Sequence, residues 1–136
     1  MKILIIDGQG GNIGRQLAKL VMDRCPDHDV IAVGTNSLAT GNMLKSGVQK
    51  AATGENAVIV NCRSADVILG PVGIAIADSL LGEVTPAMAH AVGSSNAQRI
   101  LIPICKCDTL IAGVRQQTLG ELLEDAIEQL GSLIDG

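Results

Sequence analysis

Apolar residues in this chain fall into short runs separated by glycine-rich or polar turns, the pattern of strands buried on both faces that alternate with amphipathic helices. Lys2-Ile3-Leu4-Ile5-Ile6 is the first such run, and it stops at Asp7-Gly8. The segment Gly8-Gln9-Gly10-Gly11-Asn12-Ile13-Gly14 follows, after which Ile13, Leu17, Leu20 and Val21 recur at helical spacing. Asn12 is the expected N-cap of that helix, and Cys25-Pro26-Asp27 its stop. Val30 to Val33 reads as the second strand. Leu38 to Lys45 reads as a weaker helix, because Gly41 in its interior costs about 1 kcal/mol relative to Ala.

The middle of the chain breaks the alternation. Ala57 to Asn61 and Asp66 to Gly70 both read as strands, yet only Cys62 to Ala65 separate them, and a parallel crossover needs about a dozen residues. The 57–61 strand is therefore expected to run antiparallel or in a hairpin, which would bring the loop Ala52-Thr53-Gly54-Glu55-Asn56 back to the C-terminal edge of the sheet beside a ligand. Pro71 to Leu81 reads as a helix ended by Gly82, and Thr85-Pro86 opens another with an N-cap and Pro at its first position. Arg99 to Ile104 reads as a strand. Asp108 to Val114 follows so closely that it is expected to be antiparallel and to close an edge. Thr118 and Glu121 have capping-box spacing ahead of a final helix with Leu119, Leu122, Leu123, Ala126, Ile127 and Leu130 on one face.

These elements predict an α/β class: a three-layer, Rossmann-like, mostly parallel sheet with helices on both faces and one or two antiparallel strands, in a single nucleotide-binding domain spanning residues 1–136. The 136 residues include no Phe, Tyr or Trp, so the core has to be aliphatic. A formal charge of −4 with scattered Lys and Arg argues against a nucleic-acid partner. No apolar run reaches the ~18 residues of a membrane span, and Met1-Lys2-Ile3 leads straight into a strand, so a cytoplasmic location is expected. The four cysteines then read as reduced thiols. Cys105-Lys106-Cys107 and Cys62 lack the second paired motif of a zinc site, and no metal is expected. His90 has no evident partner for a nucleophile pair.

The strongest chemical pattern is the glycine loop. A strand, a tight turn and a helix start set backbone N–H groups and the positive helix end where a phosphate can sit. Its form, G-x-G-G-x-x-G over Gly8, Gly10, Gly11 and Gly14, departs from the G-x-G-x-x-G fingerprint. The bland account of these glycines is close packing of helix on strand. Candidate site residues are Asp7, Gly8, Gln9, Gly10, Gly11, Asn12, Ile13, Gly14 and Arg15. Asp7 is expected to bond the loop's own amides or, less often, a metal ion or ribose, and Arg15 either to clamp a phosphate or to stand exposed without a partner. Thr35, Asn36 and Ser37 join them at the end of the second strand. Nothing acidic stands there to hold ribose hydroxyls as in NAD sites, which turns the expectation toward NADP or another nucleotide. Gly70, Pro71, Val72 and Gly73 complete the set, after the strand expected beside the first across the switch point. No Walker A sequence is present.

The strings Met1-Lys2-Ile3, Ile6-Asp7-Gly8-Gln9-Gly10-Gly11 and Ile13-Gly14 resemble the start of a family of short, uncharacterised bacterial proteins. The likeness runs on through Ala65 to Ile74, Leu81 to Ala89 and Ile102-Pro103-Ile104. The resemblance implies a Rossmann-like fold and brings no established activity with it. The chain departs from that family's pattern at Asn12, where the family has Gly, and at Cys105, where it has Asn.

The function expected from the sequence is binding of a nucleotide or dinucleotide, NADP-like, through the Gly8 to Gly14 loop. Catalysis would require a dimer interface or a partner, because the whole chain is spent on the nucleotide fold, and the absence of Tyr excludes the Tyr-Lys proton donor of short-chain dehydrogenases. The alternatives are a non-catalytic nucleotide-sensing or interaction module and an S-adenosylmethionine-binding protein. The expected partners are a small-molecule nucleotide and further copies of the chain in a homodimer or higher homo-oligomer, since the mean hydropathy of an aliphatic chain is positive.

Overall fold

A computed structural model describes residues 1–104 and 109–136. Five strands, β1 (Lys2–Asp7), β2 (Asp29–Gly34), β3 (Lys50–Thr53), β4 (Val67–Pro71) and β5 (Gln98–Ile102), form one sheet in the order β3-β2-β1-β4-β5. Every pairing is parallel. The helices are α1 (Asn12–Arg24), α2 (Ser37–Leu44), α3 (Glu55–Ser64), α4 (Pro86–Ser94) and α5 (Leu119–Asp135), with a 3-10 turn at Val72–Ala75.

Alternation along the central strand builds both halves of the core. Ile3 and Ile5 of β1 join Leu17 and Val21 of α1, Met43 of α2, and Leu123, Ile127 and Leu130 of α5 on one face. Leu4 and Ile6 join Val58 and Cys62 of α3 and Met88 and Val92 of α4 on the other. Each fully buried Leu, Ile or Val contributes roughly 1.5–3 kcal/mol, so the expected three-layer α/β architecture rests on aliphatic packing alone. Chain order reverses between β1 and β4: β2 and β3 were laid down on one side of β1, β4 and β5 on the other. That reversal opens a crevice at the strand C-termini, where α/β sheets place ligands.

Several expected elements differ. Residues 57–61 are helical, inside α3, and the third strand is Lys50–Thr53. The β-branched run Val58-Ile59-Val60 looks like a strand, but Val58 and Cys62 are the pair that packs inward, one helical turn apart, and burial against α4 overrides propensity. This assignment also supplies the crossover that a parallel β3-to-β4 connection requires. The 52–56 loop reaches the C-terminal edge without a hairpin, because β3 runs parallel and the Gly54 amide donates to the Gly34 carbonyl at 2.9 Å.

Pro71 to Leu81 is not a helix. A 3-10 turn gives way to a chain in which Asp78, Leu80, Leu81 and Gly82 all have positive φ, 65°, 55°, 56° and 87°. The expected antiparallel strand over 108–114 is absent from its described part: residues 109–114 form no strand, and β5 itself forms the sheet edge. Cys105, Lys106, Cys107 and Asp108 lie outside the described residues. No helix among the described residues is long and apolar enough to cross a membrane.

Candidate functional site

The glycine loop leaves the sheet at the C-terminus of β1 and turns back into α1. The N-cap is Gly11, not Asn12: Gly11 takes φ 73°, and a Cβ there would meet Ala39 Cα at 2.7 Å, so the loop lies directly on α2. Asn12 is instead the first helical residue, its Oδ1 accepting from the Arg15 guanidinium at 3.2 Å. A glycine N-cap has no side chain to satisfy the first amides of the helix. Asp7 supplies the missing acceptor, with Oδ1 taking the Gly8 amide at 2.8 Å and Oδ2 the Gly14 amide at 2.7 Å. Burial pushes the Asp7 carboxyl above its ordinary value, and nearby Glu83 adds to that, while the two amide hydrogen bonds pull the other way.

Three of the four glycines are accounted for by packing. A Cβ on Gly8 would meet Thr35 Oγ1 at 2.6 Å and Leu80 Cδ1 at 2.8 Å, and one on Gly14 would meet Met43 Sδ at 2.5 Å and Asp7 Cβ at 2.7 Å. Gly10 differs: a Cβ there would meet nothing within 4 Å, and its φ is not in the left-handed region. Around it the amides of Gly10, Asn12 and Ile13 have no acceptor among the described residues. These groups open on a cleft of about 290 Å³ lined by Asp7 to Ile13, Pro71, Leu80, Ile104 and Leu119.

The end of β2 comes to the same loop through a residue that sequence reasoning missed. Glu83 Oε1 accepts from the Gln9 amide at 2.8 Å, from Thr35 Oγ1 at 2.8 Å and from Asn36 Nδ2 at 2.6 Å. Burial raises the Glu83 carboxyl, but the three hydrogen bonds together outweigh it and hold the group below its usual range, hence ionised at neutral pH. Asn36 also donates to the Gln9 carbonyl at 3.0 Å and caps α2 by accepting the Ala39 amide at 2.8 Å. The absence of an acid from Gly34-Thr35-Asn36-Ser37 therefore does not leave the end of β2 without a carboxylate; one arrives from the segment before α4. Nothing local in Leu80 to Thr85 marks that role in the sequence.

Of the other expected residues, Pro71 faces the cleft. Gly70 serves close approach, since a Cβ would lie 2.3 Å from the Ile6 carbonyl, and Gly73 packs against Ser79. Val72 does not line the cleft, and Ser37 is exposed at the first position of α2. Arg15 lines a neighbouring groove with Lys19, Lys45 and Gly120 instead. Cys62 is buried and its thiol is pushed up to about 11 by burial, as expected of an inert side chain. A larger concavity, about 560 Å³, opens along the sheet edge between β5, residues 113–117 and α5. It is not over the strand C-termini at the switch point, so the glycine cleft is the better candidate despite its smaller volume.

The family model described as a domain of unknown function (DUF3842) matches residues 2–135. No curated protein matches the chain. Among solved structures, the crystal structure of a dodecameric FMN-dependent UbiX-like decarboxylase from Escherichia coli O157:H7 is similar in fold. Its TM-score is 0.51 at 12% sequence identity, covering 96% of this chain and 94% of that one. At so low an identity the likeness shows a shared α/β fold alone.

Proposed function

Given that the chain belongs to this DUF3842 family of unknown function, we propose that it binds a phosphate-bearing nucleotide, with the phosphate on the open amides of the glycine loop. The observation that carries the reading is Gly10. Close packing accounts for Gly8, Gly11 and Gly14, but a Cβ at position 10 would meet nothing within 4 Å among the described residues. Three amides there that have no acceptor among the described residues, those of Gly10, Asn12 and Ile13 at the N-terminus of α1, are the donors a phosphate needs. Asp7 does not spoil the site, because both its oxygens already accept loop amides and it lies buried.

The cleft is small beside the roughly 300–1,000 Å³ of typical ligand pockets, so it would seat the phosphate end while the remainder of the nucleotide crosses the open strand edge. One ground for the NADP-like reading was a missing acid at the end of β2, and Glu83 supplies a carboxylate there. FMN enters as a ligand to test because the similar structure is named for it. Assembly of several copies is part of the reading, supported by the exposure of Leu81, Val60 and Leu44 and by a dodecameric neighbour.

The test is thermal unfolding against FMN, FAD, NAD, NADP, ADP, ATP, S-adenosylmethionine and inorganic phosphate, with Gly10→Asp as control. Because position 10 is open, that variant keeps the fold and sets a carboxylate where the phosphate would sit. Saturable stabilisation by a nucleotide, lost in Gly10→Asp, is the expected result. No stabilisation by any of them overturns the reading.

A further inference from the structure

Hydrogen-bonding capacity at the end of β2 is lopsided. The Thr35 hydroxyl donates to Glu83, and the Asn36 amide nitrogen donates to both Glu83 and the Gln9 carbonyl. Those donors are spent inside the protein. What stays open is an acceptor: Glu83 Oε1 takes all three hydrogen bonds given to this carboxylate, and Oε2 has no partner among the described residues. Glu83 is only part-buried, so Oε2 can be reached. A ligand group that fits an open carboxylate oxygen must donate; a phosphate, which only accepts and carries like charge, does not fit.

The carboxylate also stands beside the cleft. A Cβ built on Gly8, which lines the cleft, would lie 3.1 Å from Glu83 Oε1, and the Gln9 amide joins the two directly. The chain reaches this point through an unusual backbone: Asp78, Leu80 and Leu81 hold left-handed conformations that L-residues seldom adopt, just before Gly82 and Glu83. Such conformations persist where the surrounding structure enforces them, and they cluster at ligand sites. Here the enforcement is visible, because Glu83 is fixed to β1's loop and to β2 while Leu80 and Val84 on either side of it are buried in the core.

We propose that Glu83 is the sugar-reading residue of the nucleotide site: its second carboxylate oxygen, Oε2, accepts the vicinal hydroxyls of a ribose and repels a 2′-phosphate. The site therefore selects nucleotides with an unmodified ribose over their 2′-phosphorylated and 2′-deoxy counterparts. The acid that doubly wound folds usually supply from the end of β2 is delivered here by a later segment, between β4 and α4. This inference rests on the nucleotide-binding reading above.

Titration calorimetry on the unmodified protein tests it with matched pairs: NAD against NADP, AMP against adenosine 2′,5′-bisphosphate, and ADP against 2′-deoxy-ADP. The expected result is a preference of about tenfold or more for the free 2′-hydroxyl in each pair, from charge repulsion in the first two and a lost hydrogen bond in the third. In Glu83→Gln, which keeps an acceptor for Gln9, Thr35 and Asn36 but no charge, discrimination against the 2′-phosphate should fall below about threefold. Equal or tighter binding of the 2′-phosphorylated ligands to the unmodified protein overturns the assignment of Glu83, as does equal binding of 2′-deoxy-ADP. If those ligands are still lost in Gly10→Asp, the phosphate loop stands and only the sugar assignment falls. If no nucleotide binds at all, both readings fall together.

Discussion

Asp7 Oδ2 accepts the amide of Gly14 at 2.7 Å, so the last residue of β1 caps the helix that begins five residues later. The arrangement follows from Gly11, which the close approach of Ala39 forces to be glycine and which therefore cannot cap α1 itself. Asp7→Ala would leave the Gly8 and Gly14 amides without acceptors in a buried site, a loss of roughly 1–3 kcal/mol. The pH dependence has a definite sign. Burial raises the Asp7 pKa in the folded chain above its ordinary 3.8. Its contribution is then fully present below that value and declines as pH rises through the folded pKa. Urea unfolding of both proteins across this range should show the advantage of the unmodified chain over Asp7→Ala shrinking with rising pH; an advantage that grows would contradict the burial argument.

The glycines should separate into two classes by stability. Gly10→Ala projects into open space and should change the unfolding free energy by no more than about 0.5 kcal/mol. Gly14→Ala presses on Met43 and Asp7, and a loss of about 1–3 kcal/mol is expected from overpacking. Gly11→Ala adds a positive φ to a clash with backbone atoms of Ala39, so it should be the most damaging of the three. Denaturant midpoints of the three variants decide it, and a Gly10→Ala loss as large as that of Gly14→Ala would remove the distinction on which the phosphate reading stands.

How much of this was legible in the sequence depends on the range of the forces involved. β1, the glycine loop and α1 could be read because a continuous apolar run and an i, i+4 stripe are local patterns, and the capping box of Thr118 and Glu121 formed as its spacing implies. β3 could not, because Lys50-Ala51-Ala52-Thr53 is a short edge strand with little β propensity of its own. α3 was obscured by its β-branched residues, whose burial is set by a neighbour, α4, that comes later in the chain. Asp7 bonds the loop's own amides as expected, since both partners lie within seven residues. Glu83 was invisible: it meets Gln9 across 74 residues, and only the sheet order brings the two together.

Leu81 combines a left-handed backbone, φ 56°, with 96% exposure, so nothing its side chain touches offsets the strain of its conformation. Left-handed residues cost roughly 1–2 kcal/mol unless they are Gly or, to a lesser degree, Asn or Asp. Leu81→Asn should therefore raise the denaturant midpoint, by about 0.5–1 kcal/mol in unfolding free energy, with the m-value unchanged. A destabilised variant would mean that Leu81 is covered in solution, as it would be between copies of the chain.

Cys62 sits 2% exposed between α3 and α4, with its thiol pushed up to about 11. At pH 8 only about a thousandth of it would be thiolate, which is the reactive form. Iodoacetamide should leave the Cys62 peptide unmodified in the native protein and label it fully in denaturant, as read by peptide mass spectrometry. Native labelling at the rate of a free cysteine would show that the α3–α4 layer opens readily.

Glu83 should respond to acid in the sense opposite to Asp7, although the two carboxylates serve one loop. Burial alone would raise its pKa, but hydrogen bonds from Gln9, Thr35 and Asn36 outweigh that and lower it below the ordinary 4.5. The stability it contributes is thus present above pH 4.5 and is lost as pH falls through the folded pKa. Glu83→Gln cannot ionise, so its stability should lack that component, and the difference between the two proteins should widen from acid toward neutral pH. Melts of the pair over the acid range read the sign directly. A difference that narrows with rising pH would mean that desolvation wins at Glu83 and holds its folded pKa above 4.5, against the hydrogen-bond argument.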